Sequence, residues 1–258
     1  MTDATSVWDP AQYARFAAPR LRPAIDLLDR VPQVEYRRVR DLGCGSGQVT
    51  GLLAERFPDA EVVGIDTSDA MLASARQAVP TARFELCDVG AWRPDRDIDL
   101  IVSNAALHWL TRHEALMRSW LRLLQPGAVL AVQVPRNHEA PSHRAIAEVA
   151  ARPAFCDKLA DVHGIAPVRP VEAITTALMA TGVTVDAWET TYVHVLDGED
   201  PVLNWIKGAA LRPYLTALGD EAPAFLEACG ALLREAYPPL PDGRTLYAFK
   251  RAFVVATV

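Results

Sequence analysis

An α/β fold built on a mostly parallel sheet is predicted by three features of the 258-residue chain. From Arg38 to Val134, short apolar runs alternate with stretches of helical periodicity, the pattern of strands covered by crossover helices. A glycine-rich turn joins the first apolar run to the first helical stretch. Two later alternating segments, Val183–Leu196 and Thr245–Val258, bring the expected strands to seven.

The elements follow in order. Val39–Leu42 reads as the first strand and Val49–Phe57 as a helix stopped by Pro58-Asp59. Glu61–Asp66 is the second strand, whose Val-Val-Gly-Ile content suits burial on both faces. Ser68 is placed to cap a helix through Met71, Leu72, Ala75 and Val79, ended by Pro80. Arg83–Cys87 and Ile98–Ser103 read as the third and fourth strands, Glu114–Leu124 as a helix, and Ala128–Val134 as the fifth strand after a Gln125-Pro126-Gly127 turn. Beyond Pro135 the pattern loosens into proline-punctuated helical stretches, His143–Ala151 and Val171–Thr181. Val183–Leu196 then alternates, with Trp188, Tyr192 and His194 on one face by period two. Pro201–Leu218 and Pro223–Tyr237 read as helices before the closing strand. With no internal repeat and no low-complexity linker, residues 1–258 are expected to form a single domain. Residues 1–37 would be an N-terminal helical cap, 38–134 a ligand-binding half and 135–258 a second half with helical insertions.

Composition excludes several classes. Half the residues are hydrophobic and 22% charged, too apolar for a disordered chain, and no heptad persists. The longest apolar runs, such as Ala128–Val132, are too short to span a bilayer. Met1–Pro10 carries two aspartates and no base, so no cationic leader is expected. Cys44, Cys87, Cys156 and Cys229 are scattered without metal-site spacing, which reads as free thiols in the cytoplasm and no metal. The net charge of −6 repels nucleic acid on average, and no basic patch offsets it. The pattern accommodates a monomer and a weak homodimer equally.

The sharpest chemical signal is Asp41-Leu42-Gly43-Cys44-Gly45-Ser46-Gly47, between the first strand and the first helix. Glycines there allow close backbone approach to a ligand, and a helix N-terminus offers unpaired N–H groups to an anion. The spacing is not the Gly-x-Gly-x-x-Gly of a dinucleotide site, because its last glycine would fall on Gln48 or Thr50. A Walker loop is excluded for want of Gly-Lys-Ser/Thr. Asp66 ends the second strand, where a carboxylate can bridge two ribose hydroxyls, and Asp88 ends the third, where it and the Val89 backbone N–H can read an adenine edge. Each aspartate alone is also a natural cap or turn residue. Together they are in phase with one sheet edge.

The set Asp41–Gly47, Gly64-Ile-Asp-Thr-Ser-Asp-Ala-Met71, Asp88 and Asp99-Leu-Ile-Val-Ser-Asn104 resembles class I S-adenosylmethionine-dependent methyltransferases. That resemblance implies a Rossmann-like sheet with helices on both faces and helical lid insertions. A narrower resemblance covers nearly the whole chain. Trp8-Asp-Pro-Ala-Gln-Tyr13, Asn104-Ala-Ala-Leu-His-Trp109, Val132-Gln-Val-Pro-Arg-Asn137, Pro141-Ser-His143, Thr190-Thr-Tyr-Val-His194, Leu211-Arg-Pro-Tyr214 and the tail Ala248–Ala256 look like the trans-aconitate 2-methyltransferase family. The departures are His108, where glutamine is also familiar, Arg136, and a single tyrosine at Tyr192 where the family often has two.

The resemblance implies S-adenosylmethionine as cofactor, S-adenosylhomocysteine as product, and a tricarboxylate as acceptor. Cofactor candidates are Asp41, Gly43, Gly45, Gly47, Asp66, Thr67, Met71, Asp88, Val89 and Asn104. Acid candidates are Trp8, Tyr13, His143, Tyr192, His194 and Arg212, with His108 orienting the attacked carboxylate. Arg212 before Pro213 is read in a loop, as a bidentate donor or as a surface arginine. Tyr192 and His194 fit a core face as well as a pocket wall. Trp92 and Trp109 read as packing, Cys44 as a small filler, and Trp8–Ala18 as a segment folding over the cofactor cleft. The alternative is another acceptor, such as a phenol or quinone, which would need a base. A cofactor-binding regulator and a dehydrogenase are less consistent with the loop and Asn104.

Overall fold

The computed structural model describes residues 17–162 and 167–258, with side chains from residue 21. Trp8, Tyr13 and nearly all of the expected N-terminal lid lie outside the described residues.

Seven strands form one sheet: β1 (Arg38–Leu42), β2 (Glu61–Asp66), β3 (Arg83–Leu86), β4 (Leu100–Asn104), β5 (Val129–Pro135), β6 (Thr184–Leu196) and β7 (Thr245–Thr257). Their spatial order is β3-β2-β1-β4-β5-β7-β6. The first five pair in parallel, and β7 pairs antiparallel to β5. Every β1–β5 connection therefore returns over the sheet, three of them through helices, α2 (Gln48–Arg56), α3 (Asp69–Ala78) and α4 (His113–Leu121), after an opening α1 (Ala17–Leu28), while the β3–β4 connection has none. Local chemistry sets their ends. Ser68 caps α3 by accepting from the Met71 N–H at 3.4 Å, and Asp69 complements the dipole of the first turn.

Strand order reverses at β1, with β2 and β3 on one side and β4 and β5 on the other. Ligands in open α/β sheets bind beyond the strands' carboxyl ends at such a reversal. Leu42, Asp66, Leu86 and Asn104 are those ends here.

The chain divides into two compact units, each with its own apolar core. One comprises Ala18–Pro135, Val168–Thr190 and Arg251–Val258; Leu42, Ile65, Ile101, Trp120, Leu130 and Val254 lie in its core. The other includes the segment beginning at Arg136 and Thr191–Lys250. Its core holds Trp205, Leu211, Phe225, Leu233, Tyr247 and Phe249. It contains α5 (Pro141–Ala150), α6 (Cys156–Leu159), α8 (Pro201–Lys207), α9 (Arg212–Leu218) and α10 (Ala222–Ala236), while α7 (Val171–Met179) belongs to the sheet unit. Both β6 and β7 contribute residues to each unit.

Two expectations need correction. The stretch Pro201–Leu218 is two helices, α8 and α9, separated by a turn over residues 208–211. Arg212 is consequently not a loop residue. It opens α9, with Pro213 in the first turn, where a missing N–H costs nothing.

Candidate functional site

The turn leaving β1 wraps over the end of β2. The Gly43 and Cys44 N–H groups both donate to the Ile65 carbonyl, at 2.8 and 3.0 Å, and the Gly47 N–H donates to the Cys44 carbonyl. Gly43 and Gly45 take φ of 73° and 53°, a left-handed backbone that side chains disfavour. Gly47, at φ 84°, precedes α2 with no side-chain cap. This geometry exposes backbone rather than side chain at the sheet edge.

Asp66 organises the turn. Its Oδ2 accepts from the Gly45 N–H and its Oδ1 from the Ser68 N–H, both at 2.9 Å. Each oxygen retains a further lone pair, and the residue is half-buried. Thr67 is exposed beside it and Met71 is half-buried in the first turn of α3. Asp88, just past β3, accepts from the Gly90 N–H at 2.8 Å through Oδ1 and is exposed, while the Val89 side chain enters the core. Both aspartates are thus turn-formers and strand-end acceptors at once.

Asp41 has a different role. It is 1% exposed, beneath the turn, and its Oδ2 accepts from Thr50 Oγ1 of α2 at 2.7 Å. Burial pushes its pKa up to about 7, the Thr50 hydroxyl opposes the rise, and the Asp66 charge adds to it. Asp41 therefore joins the end of β1 to α2 from below. The Cys44 thiol is pushed upward by burial, with the Asp41 and Asp66 charges adding to it; it is a filler, with no thiolate chemistry.

At the end of β4, Asn104 is half-buried and its Oδ1 is a buried acceptor with no hydrogen-bond partner among the described residues. Ala105 follows at φ 54°, its N–H held by the Gln133 carbonyl at 2.9 Å. His108 lies in the next turn, 4% exposed, its ring 5.1 Å from Trp109. Trp109 is 46% exposed, which corrects its reading as packing. Trp92 does pack, edge-on to Trp120 at 5.7 Å. Among the described residues no group of three or more His, Cys, Asp or Glu could hold a metal ion, and no helix is long and apolar enough to cross a membrane.

A methyltransferase-domain family model matches residues 39–127, the segment that carries all these strand ends. A trans-aconitate 2-methyltransferase of Methylobacterium nodulans is 48% identical over 254 residues, spanning 96% of this chain and 97% of its own length. One from Streptomyces avermitilis is 47% identical over 267 residues, spanning 99% and 98%. The chain belongs to the trans-aconitate 2-methyltransferase family. Among solved structures, the YcgJ protein of Bacillus subtilis shares the fold at a TM-score of 0.60 and 16% identity, over 92% of this chain and 98% of that one.

The residues at the strand ends fit the methyl donor of such a family. Asp66 offers two fixed acceptors for vicinal hydroxyls, and the orphaned Asn104 Oδ1 is an acceptor suited to an ammonium group.

The family-derived acid residues are placed as follows. On β6, Tyr192 and His194 are 5% and 9% exposed, while Val193 and Val195 between and beyond them are exposed, as period two requires. The His194 ring lies 4.3 Å from that of Trp205 in the second unit's aromatic core. His143 is the third residue of α5, with Nδ1 3.2 Å from Ser142 Oγ. Burial, with His138 adding to it, lowers its pKa to about 4, so it is a neutral hydrogen-bonding imidazole. Arg212 is exposed at the start of α9.

Some buried polar residues were not anticipated. Asn137 donates to the Tyr247 hydroxyl at 3.3 Å and accepts from the Lys250 N–H, and the Ser142 N–H donates to the Tyr237 hydroxyl. Gln133 and Arg251, 0% and 5% exposed, are hydrogen-bonded across β5 and β7. The available signal was a polar side chain inside an apolar strand run, Val132-Gln-Val134 and Phe249-Lys-Arg-Ala252.

Proposed function

We propose that this protein transfers a methyl group from S-adenosylmethionine to a carboxylate oxygen of trans-aconitate, forming a monoester and S-adenosylhomocysteine. The observation that carries the reading is the alignment of the Gly43–Gly47 turn, Asp66, Asp88 and Asn104 on one sheet edge at the reversal of strand order, in a chain of this family.

The cofactor, when bound, supplies an electrophilic methyl group on a sulfonium. Asp66 accepts its ribose hydroxyls, and Asp88 with the Val89 N–H reads the adenine edge. Thr67 and Met71 flank the nucleoside. The Gly43, Gly45 and Gly47 backbone closes on the donor, Asp41 supports the turn from beneath, and Asn104 accepts the ammonium. A carboxylate with an ordinary pKa near 4 is already ionised at neutral pH, so the chain need supply no base. Alkylation of an ionised carboxylate by a sulfonium likewise calls for no metal. What remains is orientation, which can contribute about 7–11 kcal/mol, and exclusion of water from two charges that neutralise each other. His108 orients the attacked carboxylate. Tyr192, His194, His143 and Arg212 contribute donors to the acid, with Trp8 and Tyr13 assigned to the same task from the N-terminal segment. Residues 38–134 are assigned to the cofactor and 135–258 to the acid, in a cytoplasmic enzyme.

The test is a panel of trans-aconitate, cis-aconitate, isocitrate and a quinol with labelled cofactor, the products identified by mass spectrometry. Methyl ester from trans-aconitate in preference to the others is expected. Label appearing only in the quinol product would replace this reading with an oxygen or ring-carbon acceptor that needs a base.

A further inference from the structure

At the end of the sheet, β5 pairs Asn104 of β4 with Gln133 on one side, and Pro135 with Arg251 of β7 on the other. Residues two apart on a strand share a face, so Gln133 and Arg251 lie on one face near the carboxyl edge. The Arg251 guanidinium donates to Gln133 Oε1 at 3.2 Å. That bond fixes the amide, because a guanidinium cannot accept. Gln133 Nε2 is therefore directed elsewhere, and it is buried with no hydrogen-bond partner among the described residues. On the adjacent strand, Asn104 Oδ1 is in the same condition. All three residues belong to the sheet unit.

A buried amide N–H left unmade is costly, and native proteins keep few of them without a reason. A carboxylate is the ligand that answers this arrangement. It accepts from the Gln133 amide and the guanidinium together, and such charge-assisted bonds strengthen away from water. A neutral ligand would satisfy Gln133 and gain nothing from the charge.

We propose that Gln133 and Arg251 form a carboxylate clamp that grips the acceptor acid by one of the carboxylates that is not esterified. The clamp rests on the acid-methylating reading and adds a specificity element to it. It favours acids carrying a second carboxylate over monocarboxylates, and it lies one strand from the Asn104 acceptor assigned to the methyl donor.

The decisive variant is Gln133→Glu in the full chain. Glutamate keeps the size of the side chain and its acceptor toward Arg251, but it sets a negative charge beside the guanidinium and repels an incoming carboxylate. A purely structural amide predicts a changed thermal stability with unchanged kinetics and acid affinity. The clamp predicts a folded protein with wild-type affinity for S-adenosylhomocysteine. Its KM for trans-aconitate should rise about 10- to 100-fold, the weight of a hydrogen bond to a charged group. Calorimetric affinity of trans-aconitate for the S-adenosylhomocysteine-loaded protein should fall to match. Gln133→Met removes the donor without adding charge and carries the same expectation at the lower end, so a misfolded glutamate variant does not shelter the clamp. Variants that bind the acid as wild type does overturn it. Wild-type turnover with unaffected variants sinks the clamp alone. Wild-type protein that binds trans-aconitate without methylating it, with binding lost in the variants, sinks the reaction and keeps the clamp. Failure of wild type to bind or methylate the acid removes both.

Discussion

A methyl group added to Gly43 would lie 2.2 Å from the Cβ of Ala106, well inside van der Waals contact. The turn after β1 and the turn after β4 therefore touch through a position that only hydrogen can occupy, and φ of 73° excludes a side chain a second time. Gly43→Ala should destabilise the protein by about 1–3 kcal/mol and weaken S-adenosylmethionine binding measurably. Gly45 is a matched control, since its φ is 53° but its missing Cβ points into open space. Urea denaturation should rank Gly43→Ala well below Gly45→Ala; equal losses would show that backbone strain alone governs the turn.

Asp66 makes the second prediction. Both its oxygens accept backbone N–H groups at 2.9 Å, one from the glycine turn and one from the start of the β2–α3 connection. Asp66→Asn places an NH2 against one of those N–H donors, so it loses a turn bond as well as a ribose acceptor. Calorimetry should record a fall of about 10- to 100-fold in cofactor affinity, with Asp66→Ala at least as severe. A change below threefold would remove the carboxylate from the cofactor site.

Much of this architecture could be read before any coordinates, because it is written in local chemistry. Pro58, Pro80 and Gly127 mark ends of elements, and the spacing of Gly43, Gly45 and Gly47 places the turn. The two-unit division left no such mark. β6 and β7 are continuous strands of 13 residues each, yet their halves enter different cores, so no linker records the passage. At Arg212 the following proline predicts a loop, whereas in the first helical turn proline is favoured. Gln133 and Arg251 give no periodic signal, since each is a polar residue inside an apolar run. Their meaning emerges only when β5 and β7, more than a hundred residues apart, are paired.

Asp41 makes stability depend on pH in an unusual direction. Burial raises its pKa from 3.8 to about 7, so between those values the folded state holds a proton that the unfolded chain releases. Its contribution is complete below about pH 4 and is lost as pH rises to about 7, with a size on the order of a few kcal/mol. Asp41→Asn keeps an acceptor for Thr50 Oγ1 and does not titrate. Chemical denaturation from pH 4 to 8 should show the variant gaining on the wild type as pH rises. A constant difference would mean that Asp41 is ionised throughout.

His143 pulls the opposite way. Burial lowers its pKa from 6.5 to about 4, so in that window the unfolded chain takes up a proton that the folded state refuses. Its contribution is present above about pH 6.5 and is lost as pH falls towards 4, amounting to roughly 3 kcal/mol at full extent. The imidazole should remain neutral at pH 5 in an NMR titration, its shifts moving only near the acid limit. His143→Gln removes this share of the pH dependence. Asp41 stabilises on acidification and His143 destabilises, so wild-type stability should change little between pH 4 and 6.5 if the chain unfolds in one transition. Asp41→Asn then uncovers a falling acid limb and His143→Gln a rising one. A histidine that titrates near 6.5 would show that the Ser142–His143 turn admits water, and would make His143 a cationic rather than a neutral donor.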